Sequence, residues 1–178
     1  MDLGRLDEAL DDFRRVVTNY PTDSASFEAQ YLVGKCQLER SHLDLKHLEK
    51  AEEAWRGILA SEQLTPAANE WRMSLFSLGR LQYHVAAMLK SRAEAPDVQK
   101  QTAEPQQWLA EAFTCWDEAI RRLEEFLKRY PTASQASEAR YLLAKALKHS
   151  AELSKCHHFR LRGAFYFNDK SVLLIGFV

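Results

Sequence analysis

One stretch of the chain recurs, and this recurrence limits the possible folds more than any other feature. Residues 6–31 read LDEALDDFRRVVTNYPTDSASFEAQY, and the same plan returns at residues 120–141 as IRRLEEFLKRYPTASQASEARY. The Tyr-Pro pairs that begin at Tyr20 and Tyr130 are separated by 110 residues. Each copy predicts a helix, a polar turn and a second helix. A helix–turn–helix unit that recurs in this way is typical of a stacked repeat array.

The first copy shows why each half should be helical. Its apolar residues recur at spacings of three and four, which places them on one face of a helix over residues 4–17. The Thr, Asp and Ser residues after Pro21 can cap a following helix, predicted from about Ser26 to Arg40. The residues of the apolar face are Leu6, Ala9, Leu10, Phe13, Val16 and Val17.

The rest of the chain predicts helices of the same kind. Ala51 and Trp55 repeat the spacing of Ala9 and Phe13. Thr65-Pro66 predicts the start of a long helix over about 66–92, and further helices are predicted over about 106–129 and 136–154. Polar residues 93–105 predict a loop or an interrupted helix. Because the helices at 66–92 and 106–129 are long, we expect that one repeat boundary has been absorbed into them.

The last residues differ in character from the repeats. Residues 159–178 are aromatic and β-branched, with Asn168-Asp169 at their middle, so propensity predicts two short strands and a turn. Two interpretations stay open: an element that covers the end of the stack, or a tail unrelated to the repeat fold, which we favour. We therefore divide the chain into a helical repeat domain, 1–155, and an atypical apolar tail, 156–178, either a β-hairpin or disordered.

Composition and motifs argue against several classes of function. Lys and Arg number 24 and Asp and Glu 25, so no nucleic-acid partner is predicted. No apolar run is long enough to predict a membrane span. Cys156-His157-His158 has no second ligand pair at a zinc-site spacing, and no catalytic or phosphate-binding motif occurs. We expect no catalytic residue, no cofactor and no metal site.

Ala9, Phe13 and Pro21 match the second-helix half of the tetratricopeptide pattern, A-x3-F followed by P. With Tyr20 and Ser24 in the turn, the chain resembles bacterial cell-envelope members of that family, including the outer-membrane assembly lipoprotein and the Tol–Pal-associated periplasmic repeat protein. The resemblance implies an all-α, right-handed solenoid of stacked helix–turn–helix repeats. In that register the chain starts within a repeat, so we expect a fragment of a longer array. No signal peptide is visible, and the compartment stays open between cell envelope and cytoplasm.

The resemblance also implies a binding groove. When Gly34, Gly79 and Ala144 are aligned, an aromatic residue stands three positions before each and a basic residue one position after each. The positions five residues after them hold Glu39, His84 and His149. In the resembled family these positions line a concave groove that holds partner peptides, which here implies an extended peptide with acidic groups. The alternative is that the aromatic residues pack between repeats. The candidate peptide-binding residues are Tyr31, Lys35, Phe76, Arg80, His84, Tyr141, Lys145 and His149.

These observations favour a non-enzymatic scaffold that binds partner proteins or peptides. The main rival is a structural spacer in a larger envelope-associated protein, with no ligand of its own, and a more distant one is a regulatory segment attached to an enzyme. Because terminal repeats need polar caps, we also expect self-association through the exposed repeat ends.

Overall fold

A computed structural model describes residues 3–41, 46–95 and 104–168, the last range by its backbone alone beyond residue 153. The described residues form helices and connecting turns, without a strand among them. The six helices are α1 (Leu3–Asn19), α2 (Ser24–Arg40), α3 (Lys46–Ala60), α4 (Asn69–Ala93), α5 (Glu104–Arg129) and α6 (Ala136–Asn168).

The recurrence in the sequence is a recurrence in the structure. The backbone N–H of Tyr20 donates to the carbonyl of Val16 at 3.0 Å, and 110 residues later Tyr130 donates to Phe126 at 2.8 Å. In both copies the next bond, three residues further on, closes the turn onto the tyrosine carbonyl. The α1–α2 and α5–α6 units therefore share one turn geometry.

The helices alternate between two rows. The first helices of the repeats are α2, α4 and α6, and the second helices are α1, α3 and α5. Each helix packs on the next one along the chain; in addition α2 contacts α4, and α4 contacts α6. Among the described residues, no Cα pair joins α1 to α3 or α3 to α5 within 8 Å. Because the first helices lie closer together, they form the inner side of an all-α helical-repeat solenoid, which confirms the predicted fold class.

Contacts between small and large side chains set the distance between paired helices. Gly34 on α2 lies directly against the indole of Trp55 on α3, so that a Cβ atom there would come within 2.3 Å of Nε1. Gly79 on α4 lies against Leu123 on α5, where a Cβ atom would meet the side chain at 3.0 Å. The Trp55 N–H also donates to the Tyr31 carbonyl at 3.2 Å, which locks α3 onto α2.

Two predicted boundaries are wrong. The α4 helix begins at Asn69, not at Thr65-Pro66, because the carbonyl of Thr65 accepts from the N–H of Ala68 at 2.9 Å and closes a separate turn before the helix. The α6 helix continues to Asn168, although strands were predicted from Phe159. Strand propensity depends on packing against neighbouring strands, whereas an existing helix adds one local hydrogen bond for each residue it gains.

Other parts of the prediction agree with the structure or lie outside it. The α4 and α5 helices contain 25 and 26 residues, in keeping with the expected lengthened helices. Residues 96–103 and 169–178 lie outside the described part of the chain, as do the side chains of Cys156, His157 and His158. The division between domains at residue 155 stays a prediction, although α6 passes through it without a break.

Candidate peptide-binding face

The row of α2, α4 and α6 forms a surface that we call the inner face. It brings several predicted residues together where α4 meets α6. Arg80 of α4 lies 3.7 Å from the carboxylate of Glu138 on α6. The ammonium of Lys145 lies 5.2 Å from the ring centre of Tyr141 and 5.9 Å from that of Tyr83. We call this group, together with His84, the α4–α6 patch.

The surroundings raise the pKa of Lys145 and lower the pKa of His84. Hydrogen bonds to Tyr141 and then to Tyr83 raise the pKa of Lys145, so this side chain stays charged. Burial lowers the pKa of His84, and the nearby Arg80 and Lys145 lower it further, against an opposing contribution from Glu138. At neutral pH the patch therefore presents the Lys145 ammonium, the Arg80–Glu138 ion pair and an uncharged imidazole.

Two predicted aromatic residues pack between helices. Phe76 is 3% exposed, and its ring centre lies 5.3 Å from that of Phe126. Tyr31 lies with its ring centre 6.2 Å from that of Trp55 and its hydroxyl 3.4 Å from the Ser77 hydroxyl of α4. Phe76 thus supports the surface from beneath, with the Arg80 guanidinium 5.8 Å above its ring. A direct role of Tyr31 or Phe76 in binding stays a prediction.

The remaining predicted residues lie on either side of the patch. Lys35 is exposed on α2, and none of the ion pairs in the described part of the chain includes it. His149 stacks on the buried Trp116 of α5 with ring centres 5.0 Å apart and planes at 21°, and its Nδ1 lies 3.3 Å from Glu152. It lines a cleft beside the end of α4 rather than the centre of the patch.

Sequence reasoning missed Tyr83 and Glu138. The alignment on Gly34, Gly79 and Ala144 compared only the positions three before, one after and five after the small residue. Tyr83, four residues after Gly79, lies on the same side of the helix, so its helical spacing could have revealed it. The contact of Glu138 with Arg80 depends on how far α6 is shifted along α4, which no local pattern specifies.

The inner face combines aromatic and basic side chains. Aromatic rings and cations lie side by side there, an arrangement that attracts carboxylates and extended peptide segments. Within the described residues, no group of three or more His, Cys, Asp and Glu side chains could hold a metal ion. Of the helices in the same part of the chain, none has the length and apolar character that crossing a membrane requires.

Comparison with protein families agrees with this architecture. Two segments, residues 1–23 and residues 114–150, match the family described as the tetratricopeptide repeat. The second segment spans the second part of α5, its turn and the first part of α6. Each of these two segments is therefore similar to a tetratricopeptide repeat. Such repeats generally mediate protein–protein interactions and are typically non-catalytic. No curated protein and no solved structure matches the chain, and the resemblance to cell-envelope members stays a prediction.

Proposed function

We propose that the chain is a non-enzymatic scaffold that binds an extended, acidic segment of a partner protein along its inner face. The observation that carries the proposal is the α4–α6 patch, where two helices from successive repeats bring Arg80 and Lys145 close to the exposed ring of Tyr141. The similarity of residues 1–23 and 114–150 to the tetratricopeptide repeat supports a protein partner.

Lys145 is the centre of the proposed site. It forms none of the ion pairs in the described part of the chain, and two tyrosine rings hold its ammonium in place. A carboxylate from a partner can therefore pair with Lys145 without displacing a carboxylate of the protein. Each contact between a cation and an aromatic face contributes about 0.5–1 kcal/mol at an exposed site. Arg80 already has Glu138 at 3.7 Å, so it acts as the second, weaker anchor.

The test uses an array of short peptides that differ only in their number of Asp and Glu residues. We expect binding of the wild-type chain to rise with the number of acidic residues and to fall at higher salt. The double variant Arg80→Glu with Lys145→Glu should lose this binding. The matched control is Lys50→Glu with Lys128→Glu, because these lysines are exposed on second helices and the change in net charge is the same.

The rival function, a structural spacer without a ligand, predicts a different result. If the wild-type chain binds no peptide, or if the control variant loses binding as fully as the patch variant, the patch is not a recognition site. If the wild-type chain does bind, a single Lys35→Glu variant shows whether the groove extends to α2. Weakened binding of the same peptides would place the inner face of α2 within the site.

A further inference from the structure

A cleft of about 530 Å³ lies between the last turns of α4 and the middle of α6, and the buried Trp116 of α5 is among its lining residues. We propose that this cleft binds a side-chain amide, that of a glutamine or an asparagine of a partner protein. The site does not depend on the acidic segment proposed above; only the joint binding of the two groups rests on the proposed function. The other lining residues are Ala87, Lys90, Ser91, Glu94, Ala95 and His149.

The cleft depends on the additional length of α4. Gly34 and Gly79 are each the eleventh residue of their helix, so α2 and α4 begin in the same register. The α2 helix contains 17 residues, and the residues that α4 contributes to the cleft all come after its seventeenth residue, Val85. The turns that α4 has gained relative to α2 therefore form one wall of the cleft.

Trp116 supplies an unpaired hydrogen-bond donor. It is 0% exposed, and within the described part of the chain its indole N–H has no hydrogen-bond partner. Trp55 is equally buried, but its N–H donates to the Tyr31 carbonyl at 3.2 Å. A buried N–H without an acceptor destabilises the folded state, because the group has lost water and gained no replacement. A carbonyl oxygen that enters the cleft beside His149 can supply the missing acceptor.

His149 lies against the indole and is held there by a carboxylate. Its ring stacks on that of Trp116 with centres 5.0 Å apart, and its Nδ1 lies 3.3 Å from Glu152. The hydrogen bond with His149 lowers the pKa of Glu152, so this carboxylate is ionised at neutral pH and accepts the Nδ1 proton. Because His149 and Glu152 both reach solvent, the imidazole can rotate away from the indole without a change in the core.

The charges around the cleft favour a neutral ligand group. The carboxylate of Glu94 pairs with Lys90 at 3.4 Å, as that of Glu152 does with His149. A carboxylate ligand would be repelled by Glu94 and Glu152, and an ammonium ligand would leave the Trp116 N–H without an acceptor. An amide has a carbonyl acceptor and two N–H donors, so it can accept from the indole and donate to a carboxylate. The amide therefore fits the cleft better than either charged group.

The cleft lies one helical turn from the α4–α6 patch. On α6, His149 follows Lys145 by four residues, and on α4, Ala87 follows Tyr83 by four. One turn of helix advances about 5.4 Å, close to the roughly 6.6 Å that two residues of extended chain span, and alternate side chains of such a chain point the same way. When an acidic residue of the partner pairs with Lys145, the amide should therefore come from the residue two positions along the same segment.

The nuclear magnetic resonance signal of the Trp116 indole N–H tests the site directly. The isotope-labelled full chain is titrated with N-acetylglutamine methylamide and, separately, with N-acetylmethionine methylamide, which lacks the side-chain amide. Trp116→Phe identifies the signal, because this change removes the N–H. The glutamine compound should move the signal downfield as the new hydrogen bond forms, and it should bind about two- to tenfold more tightly than the methionine compound.

A variant that fills the cleft leaves the core intact. Ser91 is an exposed cleft residue, so Ser91→Tyr should abolish the response of the Trp116 signal to the glutamine compound. Met88→Tyr is the matched control, because Met88 is exposed on the same helix and does not line the cleft. No response of the wild type, an equal response to the methionine compound, or equal effects of the two tyrosine variants would overturn the proposal.

Two acidic peptides distinguish this site from the function proposed above. They contain Glu-Ser-Gln-Ser-Glu or Glu-Ser-Met-Ser-Glu and are otherwise identical, so that either direction of binding is covered. The glutamine peptide should bind about two- to tenfold more tightly, and Ser91→Tyr should remove this difference. Equal affinity for both peptides would refute the joint binding and leave the acidic segment in place. If neither peptide binds but the Trp116 signal still responds to the glutamine compound, the proposed function fails and the amide site stands.

Discussion

At the scale of single residues, the stack depends on the absence of a side chain at particular points. Gly34 lets the Trp55 indole lie against the backbone of α2, and the indole N–H then reaches the Tyr31 carbonyl at 3.2 Å. Neither glycine nor tryptophan is required by helix propensity, which is less favourable for both than for alanine. Their shapes matter because paired helices must approach closely to bury their apolar faces.

Replacement of Gly34 should therefore be costly. We expect Gly34→Ala to lower the free energy of unfolding by about 1–3 kcal/mol, since the new methyl group would displace the buried indole. Gly57→Ala is the matched control, because its methyl group would meet the Gln30 amide, at 2.6 Å, and cost at most the bond from that amide to the Ala54 carbonyl. The gain in helix propensity of up to about 1 kcal/mol offsets that cost. Urea unfolding measures the free energy of unfolding of each variant. If Gly34→Ala and Gly57→Ala lose equal stability, the indole contact is unimportant.

The imidazole of His84 gives the fold a dependence on pH. Its pKa is lowered in the folded chain, chiefly by burial, so the unfolded chain binds the proton first as the pH falls. The stability that depends on neutral His84 is complete above the unfolded pKa and declines as the pH falls from there to the lowered folded pKa.

We expect His84→Gln to flatten this decline. The difference in unfolding free energy between wild type and variant should change as the pH falls below the unfolded histidine pKa of about 6.5, while the contributions of the other histidines cancel in the comparison. Urea titrations at several pH values measure it. A difference that does not change with pH would show that His84 has the same pKa in the folded and unfolded chains.

At the scale of elements, helix starts depend on one or two side chains. Asp23 stands before α2 in an extended conformation, and its carboxylate accepts from the Ala25 N–H at 2.8 Å. The α4 helix has Ala68 at the equivalent place, without a side-chain cap. It relies instead on its buried face, which includes Trp71 and Leu75. Thus α2 begins because of a local bond and α4 because of tertiary packing.

Removal of the cap should have a moderate and local effect. Asp23→Ala should lower the free energy of unfolding by about 1 kcal/mol, because a backbone N–H of the first turn loses its partner. The control, Glu28→Ala, removes an exposed carboxylate from the same helix and should change stability by less than about 0.5 kcal/mol. If the two variants are equally stable, the cap contributes nothing to the fold.

This difference between local and tertiary causes explains what the sequence could predict. The spacing of apolar residues around Phe13 and Trp55 indicates helices wherever the pattern is strong. The start of α4 was misplaced because Thr65-Pro66 forms a turn of its own. The strands predicted after Phe159 were wrong because propensity reports the preferred environment of a side chain, not the presence of a neighbouring strand.

The candidate site was predictable only in part, and for a related reason. Tyr31 and Tyr141 occupy equivalent positions in the repeat, yet Tyr31 is partly buried and Tyr141 is 60% exposed. Tyr31 has α3 and α4 beside it, whereas none of the described helices follows α6. The aromatic and basic positions were visible in the repeat alignment, but the exposure of each depends on how many neighbours its repeat has.

At the scale of the whole molecule, stability should vary along the stack. In a repeat array each unit contacts only its neighbours, so the free energy of local opening depends on how many neighbours a helix has. Both α4 and α5 contribute to the larger apolar core, which includes Trp116, Leu123 and Phe126. Among the described residues, the α1 helix contacts α2 alone and adds a single fully buried large side chain, Leu10.

Hydrogen exchange of the backbone amides should reveal this gradient. We expect the slowest exchange in the middle of α4 and α5, and exchange faster by at least about tenfold in α1, because opening α1 disrupts only one helix contact. Uniform protection from α1 to α5 would show instead that the stack unfolds as a single cooperative unit.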